Sequence, residues 1–510
     1  MNADSLQSAL ICGQKQVLIV GAGPTGLVLA LSLARHGVKP RIIERNDGPG
    51  EASRAMAVHA RTLEFYRQLG FADQVVRLGI KMNRIHLREG AREVARIDFG
   101  DFGGTVSPYP FVLSFPQDDH ERLLVAELAN AGVHVEWGTE LVSFDDEGEH
   151  VRAMLRKGDT DETVELAYLC GCDGAGSTVR RGLGLEFEGG TYDQVFYVTD
   201  VEATGDAVDN DDLNACLGDD GFQIVFPIRS TGNHRLIGIV PEALEAVEPL
   251  TFDDVRPYIE KLIDIHVTKV HWFSRYMSHH RVADSFRFGR VFIAGDAGHI
   301  HSPAGGQGMN TGIGDAFNLG WKLAAALSGR ADATILDTYE PERLAFARVL
   351  VKTTDQAFKL VAGDGIGSHV FRDLVPHVWP FLMGFDWVKT LLFRTVSQTR
   401  INYHESALSV GEAGDVKGGD RLPWAGGDGV DNFRPLESLD WQVHVYGEAP
   451  ADDVGIPLHE FPWSKATEAA GLERDAMYLV RPDGYVAYAG TDVAAMRALV
   501  SRFGIRTGRE

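Results

Sequence analysis

The sequence predicts an α/β fold in which a parallel-sheet domain is interrupted by a β-rich domain and followed by a smaller C-terminal one. Three observations carry this prediction. Val17 to Ala34, VLIVGAGPTGLVLALSLA, reads as strand, tight turn and helix, and Lys39 to Glu44, KPRIIE, as a second strand. From about 186 to 285 the composition shifts to short β-like runs such as GFQIVFPI and HRLIGIVP, with acidic loops between them. Buried-strand character returns at Arg290 to Ala294, RVFIA, before helical patterning over about 312–327 and 340–361.

The remaining elements follow in order. Val17–Ala34 is apolar enough to suggest a membrane span, but Gly21, Gly23, Pro24 and Gly26 break it after one short strand. Apolar residues at helical spacing mark His59 to Leu69, and Gln117 opens an amphipathic helix to about Ala131. Strand-like segments lie near 133–144, 150–156 and 163–170. The acid-rich run Asp206 to Asp212 lacks the spacing of a calcium loop and reads as a solvated loop. After a Gly- and Pro-punctuated stretch near 413–433, LDWQVHVYG and MYLVRPDGYVAYA bracket a short helix. The expected division is therefore a discontinuous first domain, 15–185 with 285–400, a β-rich domain, 186–284, and a linker with a C-terminal domain, 401–510. There is no internal repeat.

Composition excludes some functions. The 510 residues carry 49 Lys and Arg against 72 Asp and Glu, a net charge of −23, which disfavours nucleic acid as a partner and argues against an anionic membrane surface. Four cysteines, Cys12, Cys170, Cys172 and Cys216, make no disulfide framework, and a reducing cytoplasm fits best. Cys170 and Cys172 have no second thiol or His pair at metal-ligand spacing, so no metal is expected. The N-terminus lacks the pattern of a signal peptide.

Three motifs carry chemistry. In Gly21-Ala22-Gly23-Pro24-Thr25-Gly26, directly between strand and helix, Gly21 permits the turn, Gly23 the approach of a pyrophosphate and Gly26 close helix–strand packing. Glu44, at the end of the second strand, is placed for ribose hydroxyls. The second motif, RVFIAGDAGHIHSPAGGQGMN (Arg290 to Asn310), ends a strand at Gly295-Asp296 and enters a helix. Asp296 is placed to accept hydrogen bonds from a polyol, and the glycines at 305, 306 and 308 let backbone N–H groups approach a flat ring, where the helix dipole favours negative charge. The third, CGCDGAGSTVRR, ends a strand in an Asp-Gly turn, with Ser177 able to cap the next helix.

Together, GAGPTG, CDGAGSTVR and GDAGHIHSPAGGQGMN resemble the group A flavoprotein aromatic monooxygenases of the para-hydroxybenzoate hydroxylase fold, over roughly residues 15–400. The C-terminal piece resembles the thioredoxin-like appendage of phenol and polyketide hydroxylases, without a redox CxxC. The resemblance implies a Rossmann-like FAD-binding domain, a β-sheet substrate domain and a thioredoxin-like C-terminal domain. It assigns Gly21, Gly23, Pro24 and Gly26 to the pyrophosphate, Glu44 to ribose, Arg45 and Arg54 to the diphosphate and ring region, and Gln117 to the ribityl chain. Asp296 falls on the ribityl or pyrophosphate side, and Asp173-Gly174 serves FAD and the nicotinamide. Pro303, with the backbone from Gly305 through Gly306, Gly308, Met309 and Asn310, lines the isoalloxazine.

The implied reaction is reduction of FAD by NADPH or NADH, then oxygen transfer from a flavin C4a-hydroperoxide, formed with O2, to a phenolic ring. Candidates for a base lie in HWFSRYMSHH: His271, Tyr276, His279 and His280, foremost Tyr276 and His280, although most of the four read as loop or packing residues. With Pro303 these two complete the catalytic candidates. Phe222, Gln223 and Phe226 are substrate candidates; strand period turns Phe222 and Phe226 to one face, where they line a pocket or pack a core. The HxH of His299 and His301 has no third ligand, and His299 reads as a loop-shaping residue.

Two other functions stay open. One is Baeyer–Villiger or antibiotic-inactivating oxygenation on the same fold; the other is a flavin-binding protein without nicotinamide-driven turnover. Substrate-stimulated NAD(P)H oxidation separates the second from the others, and product mass and regiochemistry separate the first. A homodimer is admitted, though no motif requires it.

Overall fold

The computed structural model describes residues 16–50, 55–98, 103–208, 211–218, 221–228, 232–302, 306–362, 385–427, 429–453 and 455–507. The first half supplies β1 (Val17–Val20), α1 (Pro24–Arg35), β2 (Arg41–Glu44), α2 (Ala60–Leu69), α3 (Gln117–Asn130), β3 (Val135–Trp137) and β4 (Tyr168–Gly171). Then come β5 (Phe187–Gly205), β6 (Gly221–Ile228), β7 (Asn233–Ile239), α4 (Phe252–Ile263) and β8 (Ile265–Ala283). The chain returns through β9 (Val291–Ile293), α5 (Gly308–Leu327), α6 (Tyr339–Ala362) and α7 (Asp386–Val396).

A six-stranded sheet runs Arg287–Phe288, β9, β4, β1, β2, β3, with every pair parallel except the Arg287–Phe288 edge. Its strands are apolar throughout because both faces are covered. Val17, Leu18, Ile19 and Ile42 are fully buried, with the Leu-rich side of α1 and the apolar positions of α5 in the same core. The register Ile19 opposite Cys170, and Cys170 opposite Phe292, brings the ends of β1, β4 and β9 together, so all three glycine-containing motifs emerge at one edge. Cys170, Cys172 and Cys216 are buried free thiols.

The β-rich region is an eight-stranded sheet in the order His299–Ile300, β8, β5, β7, β6, Leu213–Gly218, Arg84–Glu89, Arg92–Asp98. One face, with Tyr197, Val201, Val225 and Leu236, packs on α4 through Val255, Ile259 and Ile263. The other carries Phe226 and Ile228 onto Met56, Ala57 and Ala60. This region differs from the sequence reading in three places. HWFSRYMSHH lies inside the nineteen-residue β8 rather than in a loop. Helix α4 was not expected, although Thr251 and Asp254 form a reciprocal capping box at its start. Asp212 is 1% exposed rather than solvated, because Arg84 pairs with it at 2.7 Å and donates its backbone N–H at 3.2 Å.

The C-terminal residues form a mixed sheet: Val416–Lys417, Val410–Ala413, Val486–Gly490, Met477–Val480, Gln442–Tyr446, Leu458–Phe461, followed by α8 (Val493–Arg502). Its inner face joins the main core through Trp441, Val443, Leu479 and Met496. Among the described residues, no helix is long and apolar enough to cross a membrane and no side-chain cluster is set to hold a metal.

Candidate active site

The glycine turn after β1 has three distinct geometries. Gly21 is left-handed, with φ of +101°, and a Cβ there would lie 2.4 Å from the Cys172 carbonyl oxygen. A Cβ on Gly26 would lie 2.0 Å from the Gly21 carbonyl oxygen, so helix and turn meet without room for a side chain. At Gly23 nothing lies within 4 Å of that position. Gly23 is also the N-cap of α1, which has no side-chain cap, with Pro24 at its first position. The result is an open, uncapped helix N-terminus over a closely packed turn, the geometry an anionic diphosphate requires.

Glu44 closes the side of this turn. One carboxylate oxygen accepts the Ala22 N–H at 3.0 Å, and the other accepts the backbone N–H and side-chain amide of Asn46 at 3.0 and 2.7 Å. Arg45, next in the chain, is exposed. Gln117, at the start of α3, donates to Glu121 at 2.8 Å, and Glu121 accepts the Gly50 N–H at 3.0 Å. Burial raises the Glu121 carboxyl against these bonds. Gln117 and Glu121 thus tether the segment after β2; Glu121 was missed in the sequence, where its position one helical turn beyond Gln117 was the available signal. Arg54, Pro303 and Gly305 lie outside the described residues.

The Asp173 turn packs beneath the glycine turn, with the Cys172 N–H on the Val20 carbonyl at 2.8 Å. Both Asp173 oxygens are engaged within its own loop. One takes the Ser177 hydroxyl at 2.5 Å and the other the Thr178 and Val179 N–H groups at 2.6 and 3.2 Å. Ser177 in turn caps its helix through the Arg180 N–H.

The Gly295–Asn310 motif is anchored by Asp315 of α5, which the sequence reading also missed. Its carboxylate accepts the Gly295 N–H at 2.9 Å, lies 2.7 Å from His299 Nε2 and takes Arg343 Nε at 2.6 Å, all in the interior. Burial alone would raise this carboxyl, but Arg343 and His299 outweigh it and hold it below the usual range. Asp296, one residue after Gly295, stays exposed. Helix α5 starts at Gly308, earlier than the periodicity suggested, because glycines 308, 312 and 314 dilute the helical pattern. The Asn310 side chain is occupied inside the protein. Its oxygen accepts from His59 N–H and Thr62 Oγ1 at 3.0 and 2.8 Å, and its nitrogen donates to the Ala57 and Gly306 carbonyls at 2.8 and 3.0 Å. Met309, beside it, is half-buried. Burial lowers His301 to about 4, so its imidazole is neutral near pH 7; Nδ1 lies 2.8 Å from the Ser302 carbonyl, and Nε2 would lie 3.7 Å from a Cβ on Gly308.

On the sheet face turned toward this loop, Phe196 stacks on Tyr276 with centroids 5.5 Å apart, and Tyr192 lies 4.8 Å from the His280 ring. Phe222 and Ile239 complete the cluster. Tyr192 also meets Asp355 of α6 and Ser302 of the loop. Arg235 and Asp200 form a buried bidentate pair at 2.6 and 2.8 Å on the same face. Tyr276 and His280 therefore belong to one wall, whereas His271 is spent on Glu202 and His279 on Thr191. Phe226 shares the face of Phe222 but packs on Met56, Ala57 and Ala60. Gln223 points to the opposite face, beneath α4, and is fully buried there. It is not in the wall with Phe222, because the strand period that turns Phe222 and Phe226 to one face turns residue 223 away. Tyr192 and Asp355 carry no motif and could not have been read from sequence.

A family model described as an FAD binding domain matches residues 14–354. Pentachlorophenol 4-monooxygenase of Sphingobium chlorophenolicum is 33% identical over 80% of this chain and 75% of its own. The chain belongs to the group A flavoprotein aromatic monooxygenases. This monooxygenase is also 39% identical to 6-methylpretetramide 4-monooxygenase of Streptomyces rimosus over 68% of its length, spanning 62% of that relative. It superposes on a solved ternary complex of aklavinone-11 hydroxylase with FAD and aklavinone with a TM-score of 0.76 at 26% identity, covering 96% of this chain and 98% of that one.

The monooxygenase's own residues fit FAD. The open position at Gly23 and the uncapped start of α1 suit a diphosphate, the exposed Asp296 suits a polyol, and the α5 N-terminus suits a ring that gains negative charge.

Proposed function

We propose that this monooxygenase hydroxylates a phenolic small molecule in the cytoplasm, using O2 and either NADPH or NADH. The observation that carries the reading is the wall of Tyr192, Phe196, Phe222, Tyr276 and His280 beside the loop that leads into α5. Bound FAD supplies the reductive activation of O2 and the electrophilic oxygen; the chain supplies orientation, water exclusion and proton handling.

Within this reading Gly21, Gly23, Pro24 and Gly26 receive the diphosphate at α1, with Arg45 and Arg54 as neutralising cations. Glu44 and Asp296 accept hydroxyls of the ribose and the ribityl chain, the latter with Gln117. Asp173 acts by shaping its turn under the glycine loop. Pro303, Gly306, Gly308, Met309 and Asn310 form the cradle for the ring, whose negative charge meets the α5 dipole. The aromatic rings of Phe196, Phe222 and Tyr276 offer edges and faces for a flat substrate. His280, or Tyr276 farther along the same strand, accepts the substrate hydroxyl proton, which raises electron density on the ring. The C-terminal unit has no cysteine, so its thioredoxin-like role is that of a docked support.

The test is NADPH and NADH oxidation by the FAD-loaded protein with a panel of single- and multi-ring phenols. Several-fold stimulation by a phenol, with a product heavier by one oxygen atom, supports the reading. Tightly held FAD with no stimulation by any phenol favours the scaffold without turnover.

A further inference from the structure

Gln398 follows α7, and its backbone is left-handed, with φ of 60° at a residue that is not glycine. Such a backbone is unfavourable for a side-chain-bearing residue and persists only where the surroundings enforce it. Here the enforcement is visible. The preceding Ser397 carbonyl accepts the Arg61 N–H of α2 at 3.2 Å, and Gln398 itself is 4% exposed. Its side chain reaches the first turn of α5, where Nε2 donates to Thr311 Oγ1 at 2.8 Å and to the Gln307 carbonyl at 3.3 Å.

The Gln307 carbonyl is the focus of these bonds. It also accepts the Thr311 backbone N–H at 2.9 Å and the Thr311 hydroxyl at 3.0 Å. Gln398 therefore acts on it twice, directly and through the Thr311 hydroxyl that it polarises. That carbonyl shares one amide with the Gly308 N–H, the first residue of α5, a helix with no side-chain cap. Donors crowded on the oxygen of an amide make its N–H a stronger donor, because hydrogen bonds in a chain reinforce one another in a low-dielectric interior. The helix start is where negative charge on a reduced ring is best stabilised.

From this geometry we infer that Gln398 is a positioning residue that raises the electron affinity of the bound flavin by polarising the Gln307–Gly308 peptide. The inference rests on the reading that FAD lies against the start of α5. It needs no contact between Gln398 and the cofactor.

The test is the midpoint potential of the flavin in the purified FAD-loaded protein, with FAD affinity and thermal stability measured in parallel. Gln398→Met keeps size and backbone strain but removes the donor; Gln398→Gly removes both donor and strain; Gln398→Glu replaces the donor by a carboxylate. Both the Met and the Gly variant should retain FAD and lose threefold to tenfold in preference for reduced over oxidised flavin, a fall of about 15–30 mV for a two-electron couple. The Glu variant should fall further, since it adds negative charge beside the peptide. Gly should be at least as stable as Met, because it relieves the left-handed backbone. An unchanged potential in Met or Gly overturns the inference, and so does a fall that follows stability, present in Met and absent in Gly. Absence of FAD from the wild-type protein overturns the underlying flavin reading instead.

Discussion

Arg481 donates to both carboxylate oxygens of Glu342, at 2.8 and 2.9 Å, and both side chains are fully buried. The pair joins the C-terminal unit to α6, and it is not isolated. Glu342 also takes Lys322 and Asn318 of α5, while Arg481 grips Asp483, which accepts the Trp321 indole N–H. Farther along the same junction, Arg421 pairs with Glu64 of α2, and Arg343 donates to Tyr403 at 2.9 Å. The C-terminal unit is thus fastened to α2, α5 and α6.

Arg481→Met should destabilise the protein by about 3–5 kcal/mol, because it leaves Glu342 and Asp483 buried with too little compensation. Denaturant melts followed by tryptophan fluorescence and by far-UV circular dichroism should show one coincident transition in the wild type. Early unfolding of the C-terminal unit on its own would contradict this coupling.

Gly23→Ala and Gly26→Ala should separate binding from folding. At Gly26 a methyl meets a backbone oxygen at 2.0 Å, so the variant should be poorly folded. At Gly23 the methyl meets no protein atom and φ is −73°, so the apoprotein should melt like the wild type. FAD should nevertheless bind on the order of tenfold or more weakly, about 1.4 kcal/mol per tenfold. Titration of apoprotein with FAD, alongside its melting temperature, checks both halves.

The parallel sheet and the glycine turn were legible because their signals are local: an apolar run, a turn that only glycine permits, and a helix start within ten residues. Asp315, Tyr192 and Asp355 were not, because their roles exist only through partners far away in the chain, such as Gly295 and Arg343 for Asp315. Asp212 misled for the same reason: acids in a row look solvated until Arg84 is found beside one of them. The α4 helix was hidden by surrounding strand-like runs, although its capping box is written in Thr251 and Asp254. Gln223 was grouped with Phe222 and Phe226 against its own strand parity.

Stability should fall steeply as pH drops below about 6.5. Burial lowers His120 to about 3, His444 to about 3, and His301 to about 4. Between their ordinary value and these lowered ones the unfolded chain binds protons that the folded chain refuses, so stability rises with pH across that window and is lost as pH falls through it. With about 1.4 kcal/mol per unit of displacement, the combined loss by pH 4 is on the order of several kcal/mol. Melting temperatures from pH 8 to 4 check the trend. His444→Gln, which removes one such group away from the candidate site, should flatten it.

His280→Asn and Tyr276→Phe should change the pH dependence of hydroxylation more than they change substrate binding. If His280 accepts the phenol proton, its variant should lose about 10²–10⁴-fold in the oxygen-transfer step, with recovery as pH rises toward the phenol's own ionisation. An unaltered profile in both variants would place the proton acceptor elsewhere on the wall, with Tyr192 and Asp355 next to test.

The origin of the oxygen atom in the product distinguishes oxygenation from every other outcome most directly. The FAD-loaded protein, supplied with NADPH or NADH and a phenol that stimulates its oxidation, is run under isotopically heavy O2 in ordinary water. One heavy oxygen atom per product molecule, on a ring carbon, is expected. A product whose added oxygen comes from water, or nicotinamide oxidation with no oxygenated product for any phenol that binds, would contradict it.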